Sequence, residues 1–370
     1  MQDTALQSLI DAVQAAAASA APLCIRGGGT KEFHGQSLHG KALEISALSG
    51  IVSYEPSELV VTVRGGTPLA ELEATLAGQG QCLPFEPPRF GPGGTVGGMV
   101  AAGLSGPARA SVGAVRDYVL GLQLLNGRGE LLSFGGQVMK NVAGYDLSRL
   151  MAGAWGTLGV ITEVSLKVLP VAPAEATLKF ECSQAEALQR LNAWGGQPLP
   201  LNASCWVEDA GVGTLYLRLR GAAAAVEAAC RTLGGERQDS AAAAKDWDAC
   251  RDQQLPWFVD RPPSECLWRL SVPQTAPVLA LPAGVGAPLV EWHGGQRWVK
   301  AGPAHAAALR QTAANAGGYA TLFRANNDPS TLEMARFEPL KPPLDRIHQR
   351  LKAEFDPAGI FNHGRLGAGL

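Results

Sequence analysis

The stretch Leu23-Cys24-Ile25-Arg26-Gly27-Gly28-Gly29-Thr30-Lys31 decides how the chain is read. A short apolar strand that runs straight into three glycines exposes consecutive backbone N–H groups with no Cβ in the way. Such a nest suits a pyrophosphate, and Arg26 or Lys31 can offset its charge. The alternative is a tight turn. No Gly-Lys-Ser/Thr follows, so this is not a Walker loop, and no G-x-G-x-x-G opens a long helix behind it.

Two further glycine runs lie downstream. Pro92-Gly93-Gly94-Thr95-Val96-Gly97-Gly98-Met99 continues through Ala101, Ala102 and Gly103 to Ser105 and Gly106. Glycines and alanines at a helix start let a bulky flat ligand lie against backbone donors; close helix packing is the competing reading. The third run is Lys140-Asn141-Val142-Ala143-Gly144-Tyr145-Asp146, followed by Gly153-Ala154-Trp155-Gly156-Thr157-Leu158-Gly159-Val160-Ile161. Asp146 is placed to cap a short helix. Gly156 and Gly159 allow close approach of another backbone or a ligand.

Around these runs the pattern is mixed. Leu59–Arg64 reads as a buried strand, and Thr67 with Pro68 opens a helix that Gly78 ends. Val96–Gly103 reads as a small-residue helix. Val119–Leu125 and Glu130–Phe134 flank Asn126-Gly127-Arg128-Gly129 as a hairpin. Gly159–Leu169 alternates, with Val160, Thr162, Val164, Leu166 and Val168 on one face. After Pro170 the order becomes strand, helix, strand, strand, helix, twice over, the economical signature of two ferredoxin-like halves sharing an antiparallel sheet. Residues 236–264 between the halves are weakly patterned, a loop or short helices. Domains are expected at 1–170, 171–330 and a C-terminal segment, 331–370, that returns to the first.

Composition bounds the partners. The 370 residues hold 46% hydrophobics, enough for two cores. Basic and acidic residues number 31 and 33, which leaves no cationic surplus to track phosphates, so nucleic acid is excluded as a partner. Pro277, Pro282 and Pro288 interrupt the longest uncharged apolar stretch, so no transmembrane segment is expected. The N-terminus lacks a signal peptide's basic flank, and Leu6, Leu9, Ile10 and Val13 read as an amphipathic helix. The seven cysteines are scattered without a C-x-x-C, which argues for reduced thiols in the cytoplasm and against a zinc or iron–sulfur site.

The three runs in this order, followed by an antiparallel α+β region, resemble the vanillyl-alcohol-oxidase/PCMH-type FAD-binding family. The likeness spans residues 20–170 and the tail 340–366. It implies an α+β fold: a PCMH-type FAD-binding domain of two subdomains, with a ferredoxin-like antiparallel cap. It also implies noncovalent FAD, because Gly29-Thr30 stands where covalent members carry a Gly-His, and His34 is left as a surface or structural histidine. By resemblance the cofactor contacts are Arg26, Gly27, Gly28, Gly29, Thr30, Lys31 and Gly35 on the first loop. Pro92, Gly93, Gly94, Thr95, Gly97, Gly98, Ser105 and Gly106 follow on the second. Gly156, Gly159, Val160 and Ile161 come from the third. Asn362 comes from the tail, where Asp356–Arg365 matches the hydroxy-acid-oxidising branch with His363 in place of Pro.

The whole chain is similar to the short FAD-binding subunits of bacterial glycolate oxidases (glycolate dehydrogenases). That implies oxidation of glycolate, a small 2-hydroxy acid, to glyoxylate, with a larger FAD-containing subunit and an iron–sulfur subunit as partners. The complex would lie in the cytoplasm, peripheral at the inner membrane. The chemistry needs a cation for the carboxylate, a base for the hydroxyl proton and a hydride acceptor. Arg297, Arg324 and Arg365 are the candidate cations, and His363 or His293 the candidate base. No histidine pair has the spacing that places two imidazoles on one helical face, so no metal site is expected. Two rivals stay open: a self-sufficient oxidase or dehydrogenase of another 2-hydroxy acid, and a non-catalytic flavin-relay or assembly subunit.

Overall fold

β-Branched runs build the first sheet. In this computed structural model, which describes residues 3–136, 145–209, 211–326, 328–367 and 369, Val60–Arg64 pairs antiparallel with Val160–Lys167. That strand in turn pairs with Val119–Leu125. Ile51–Glu55 and Leu131–Gly135 form the two edges of this five-stranded sheet. The Lys140–Gly144 part of the third run lies outside the described residues.

Alternation predicts one buried face for Val160–Lys167. Yet Ile161 and Ser165, on the other face, are buried along with Val160, Thr162 and Val164, because a central strand is covered on both sides. The hairpin turn is fixed by Asn126, whose Oδ1 accepts from the N–H groups of Arg128 (2.9 Å) and Glu130 (3.0 Å). The helix Leu69–Ala77 corrects the expected start. Pro68 is the N-cap, while the Thr67 hydroxyl turns to the Gly50 backbone, accepting from its N–H at 2.9 Å and donating to its C=O at 3.2 Å. Val96–Ala102 starts from Thr95, whose Oγ1 accepts from Gly98 N–H at 3.2 Å, and stops at Gly103 with φ +63°.

A second, smaller core gathers Leu9, Val13 and Ala16 of the helix Thr4–Ser19 with Leu23, Leu43 and Phe361. There Leu23–Arg26 and Lys41–Glu44 form a parallel pair, and Phe361 bridges to Leu23. These parts belong to one unit, Met1–Leu104, Ala114–Val171 and Pro339–Leu370.

The other unit is Ser105–Gly113 with Ala172–Glu338. One sheet of eight strands runs through it. The first half follows the strand-helix-strand-strand-helix order, whereas the second lacks the first helix: the strands Cys266–Ser271, Leu289–Glu291 and Gln296–Ala301 precede the helix Ala306–Asn315 and the strand Tyr319–Arg324. Helices Gln184–Gly195 and Ala223–Leu233 cover the first half, and Ala306–Asn315 the second. The weakly patterned 236–264 segment is not a loop throughout. It forms the helices Ser240–Arg251 and Pro256–Val259, whose Ala243, Trp247, Cys250 and Phe258 are buried. Its apolar residues are too few for a helical stripe in the sequence, which is why the pattern was weak.

Candidate functional site

The first glycine loop and the second helix start close on each other so tightly that only glycine fits. A Cβ on Gly28 would sit 1.4 Å from Gly93 O, and one on Gly27 would sit 2.2 Å from Thr95 Oγ1. The glycines serve backbone packing, and in doing so they leave donors free. Among the described residues the N–H groups of Gly27, Gly28, Gly29 and Thr30 donate to nothing, and Gly29 has φ +69°. A row of unpaired donors is expensive unless something anionic or water satisfies it.

These residues line a cavity of about 430 Å³. Its small-residue floor is Gly97, Gly98, Ala101 and Ala102, and Gly156, Gly159, Ile161 and Asn362 close it. The structure thus brings together residues from all three runs and the tail. Gly35, Pro92, Gly93, Gly94 and Val160 do not line the cavity. Gly93 backs onto Gly28, Gly35 abuts Arg365, and Val160 is core. Ser105 and Gly106 fall in the second unit, where Gly106 O accepts from Trp292 Nε1 at 3.0 Å.

The tail is a brace. Asn362 accepts from Ile25 N–H (2.8 Å) and donates to Trp155 O (2.7 Å). Arg365 is buried, donates to Gln36 O (2.8 Å), Lys31 O (3.2 Å) and Glu32 O (3.3 Å), and lies over the Trp155 ring at 5.5 Å. It lines the cavity and holds the first loop by its carbonyls. Arg26 is half-exposed and paired with Glu32 at 2.7 Å. Lys31 lies 5.9 Å from the Phe90 ring centroid, and His363 is exposed. His34 is buried against Trp155 at 5.0 Å, a structural histidine. Cys24 also lines the cavity, and burial pushes its thiol up, which keeps it protonated and a poor nucleophile.

In the cap unit, Arg297 is fully buried on the helix-covered face and holds Gly294 O (2.8 Å) and Ala276 O (3.1 Å); burial pushes it down to about 10. Arg324 donates to Gln253 at 2.8 Å and is pushed down to about 10 by burial and by Arg261. The residue that sequence reasoning missed is Arg269. It stands opposite Trp298 in register, on the face away from the core of Trp268 and Leu270. Its guanidinium lies 5.5 Å from the Phe323 ring centroid, and its Nε is buried without a partner. Burial pushes it down, repulsion by Arg109 adds to that, and Tyr319 opposes it. The available signal was period two: Leu267-Trp268-Arg269-Leu270 places a cation inside an apolar strand.

The turn beside it is strained. Trp292 and His293 both have positive φ, +55° and +53°, a cost that surrounding contacts must offset. Arg109 covers the Trp292 ring at 4.5 Å. The Ser204 hydroxyl accepts from His293 N–H and faces Nδ1, each at 3.0 Å, while Nε2 faces Ser111 Oγ at 3.0 Å. The network fits the Nε2–H tautomer. Burial holds His293 down to about 4, too weak for a base at neutral pH. Because the unfolded chain protonates this histidine near 6.5 and the fold does not, stability falls as pH drops from about 6.5 to about 4, by about 3 kcal/mol at most. Urea midpoints between pH 7 and pH 4 should show that loss, and His293→Gln should flatten it.

Loops, cavity and cap define the class: a flavin-binding oxidoreductase fold carrying a ferredoxin-like cap. The family described as FAD binding domain matches residues 4–135. The glycolate oxidase subunit GlcE of Escherichia coli (strain K12) is 46% identical over 364 residues, covering 98% of both chains. The chain belongs to that family, and its cofactor is FAD. The glycolate oxidase subunit GlcD of Bacillus subtilis is 31% identical over 42% of this chain and 34% of its own length. Alkyldihydroxyacetonephosphate synthase shares the fold, with TM-score 0.63 over 96% of this chain and 74% of that one at 15% identity. Among the described residues no helix is long and apolar enough to cross a membrane.

Proposed function

We propose that this chain is the small flavin-binding subunit of a glycolate oxidase complex. Glycolate would lose two electrons and two protons to become glyoxylate, and the electrons would leave toward an iron–sulfur partner subunit beside a larger flavoprotein subunit. The observation that carries the reading is whole-length kinship with GlcE, which includes the cap as well as the flavin loops. Bound FAD supplies a two-electron hydride acceptor. The chain's own part is to hold it noncovalently, with the four free N–H groups of Gly27–Thr30 on the pyrophosphate. Cys24 stays a thiol, and Thr30 offers only a hydroxyl.

Within the second unit, Arg269 presents a guanidinium suited to a carboxylate ligand. A half-buried guanidinium without an acceptor among the described residues is costly until a carboxylate meets it, and the planar fork suits bidentate pairing. Arg365 gives its Nη donors to backbone carbonyls, and Arg297 gives Nε and Nη2 while its buried Nη1 meets no acceptor among the described residues.

The test is the visible spectrum of the purified holo-chain, followed anaerobically as glycolate is added. Bleaching of its flavin is expected. A flavin that stays oxidised while the assembled complex turns over would move oxidation to a partner and leave this chain a relay.

A further inference from the structure

The second unit holds a cavity of about 540 Å³ that shares no lining residue with the flavin cavity and does not include Arg269. Its floor is the sheet, through Thr177, Tyr216, Leu289 and Lys300, and its roof is the pair of helices Ser240–Arg251 and Pro256–Val259. The cavity is half open to solvent between the roof and the sheet. It lies within the range of small-molecule sites.

Its chemistry is lopsided. Trp247 and Trp257 wall it. Trp247 is pinned, with Nε1 donating to Thr177 Oγ1 at 3.0 Å and Arg218 lying 4.8 Å from its ring centroid. Lys300 lies 4.7 Å from the Trp257 ring centroid, so that ring already carries a cation. The lining also includes Glu208, Asp246 and Asp260, exposed carboxylates with no ion pair or side-chain hydrogen bond among the described residues. Asp239, the fourth, is spent capping its helix. Aromatic walls beside three unspent carboxylates and a single lysine complement a positive ligand with an apolar body, and repel the carboxylate substrates of the proposed reaction.

We propose that this cavity binds an organic cation: an ammonium, quaternary ammonium or guanidinium group on a compact apolar body. The cationic head sits among Glu208, Asp246 and Asp260, and the body fills the space between Trp247, Trp257 and Leu289. The site is independent of the glycolate assignment, since none of its residues is used there.

Isothermal titration of the holo-chain with benzyltrimethylammonium tests it, with benzyl alcohol as the neutral comparison. Saturable one-site binding is expected, weaker by about tenfold for the alcohol and by about tenfold in Asp246→Asn/Asp260→Asn, and weakened by salt. Flavin content and far-ultraviolet circular dichroism monitor folding of that variant. Should it misfold, Glu208→Gln is read instead and should also weaken binding. Non-saturating heats, equal affinity for the alcohol, or unchanged affinity in the folded carboxylate variants would overturn the proposal.

Discussion

Gly28→Val is expected to purify with its flavin lost. The new Cβ would fall 1.4 Å from Gly93 O, and backbone meets backbone there, so no rotamer change relieves the overlap. Either the first loop or the Pro92–Thr95 turn must move, and the four donors of Gly27–Thr30 move with them. Overpacking of this kind costs about 1–3 kcal/mol or more, and flavin affinity falls further because a displaced nest no longer presents its N–H groups together. Gly94→Ala separates the two effects. Its Cβ would meet Thr30 Oγ1 at 3.6 Å, an ordinary contact, so the protein alone accommodates it. The ratio of flavin absorbance to protein absorbance after gel filtration reads both variants. Full flavin in Gly28→Val would remove the loop assignment, whereas flavin loss in Gly94→Ala without loss of thermal stability would place the ligand against Gly94.

The glycine loops were legible because their physics is local. Three glycines after a strand, a threonine before a small-residue helix and Asn126 in a four-residue turn each act within a few residues, and the structure builds each of them. What escaped the sequence is the pairing of loops distant in the chain. Gly28 reads as a ligand glycine, yet its tightest constraint is Gly93. Arg365 reads as a substrate cation, yet its donors go to carbonyls of the first loop. Arg297 reads as a charged hairpin residue, yet it lies buried on the helix side. In each case the residue type was noticed and its partner was not, because a long-range contact leaves no periodic trace. Arg269 is the converse. Among the described residues its Nε meets no acceptor, and neither strand propensity nor charge count drew attention to it. The roof helices stayed open against a loop because only Ala243, Trp247 and Cys250 of Ser240–Arg251 are buried.

Lys352→Met should be the most destabilising single change in the first unit. Lys352 is buried and donates to Thr157 O (2.7 Å), Phe361 O (2.7 Å) and Asp356 Oδ2 (2.6 Å). Asp356, equally buried, accepts from Ile360 N–H (3.0 Å) and Phe361 N–H (2.8 Å). This cluster fastens the C-terminal turn, and Asn362 and Arg365, which brace the flavin loop, follow directly. Burial pushes the Lys352 ammonium down while Asp356 opposes the shift, so the lysine's charge depends on its partner. Removing it strands a carboxylate in the core at about 3–5 kcal/mol, a fall of about 10 °C in Tm for a unit of this size. Flavin should be lost too, as Asn362 releases Ile25 and Trp155. The double variant Lys352→Met/Asp356→Asn should recover part of the loss, since an amide still accepts from one backbone N–H and carries no charge. Differential scanning calorimetry of both variants, with flavin content measured alongside, checks the order. A double variant less stable than Lys352→Met would show that the carboxylate's backbone bonds, rather than its unpaired charge, set the cost.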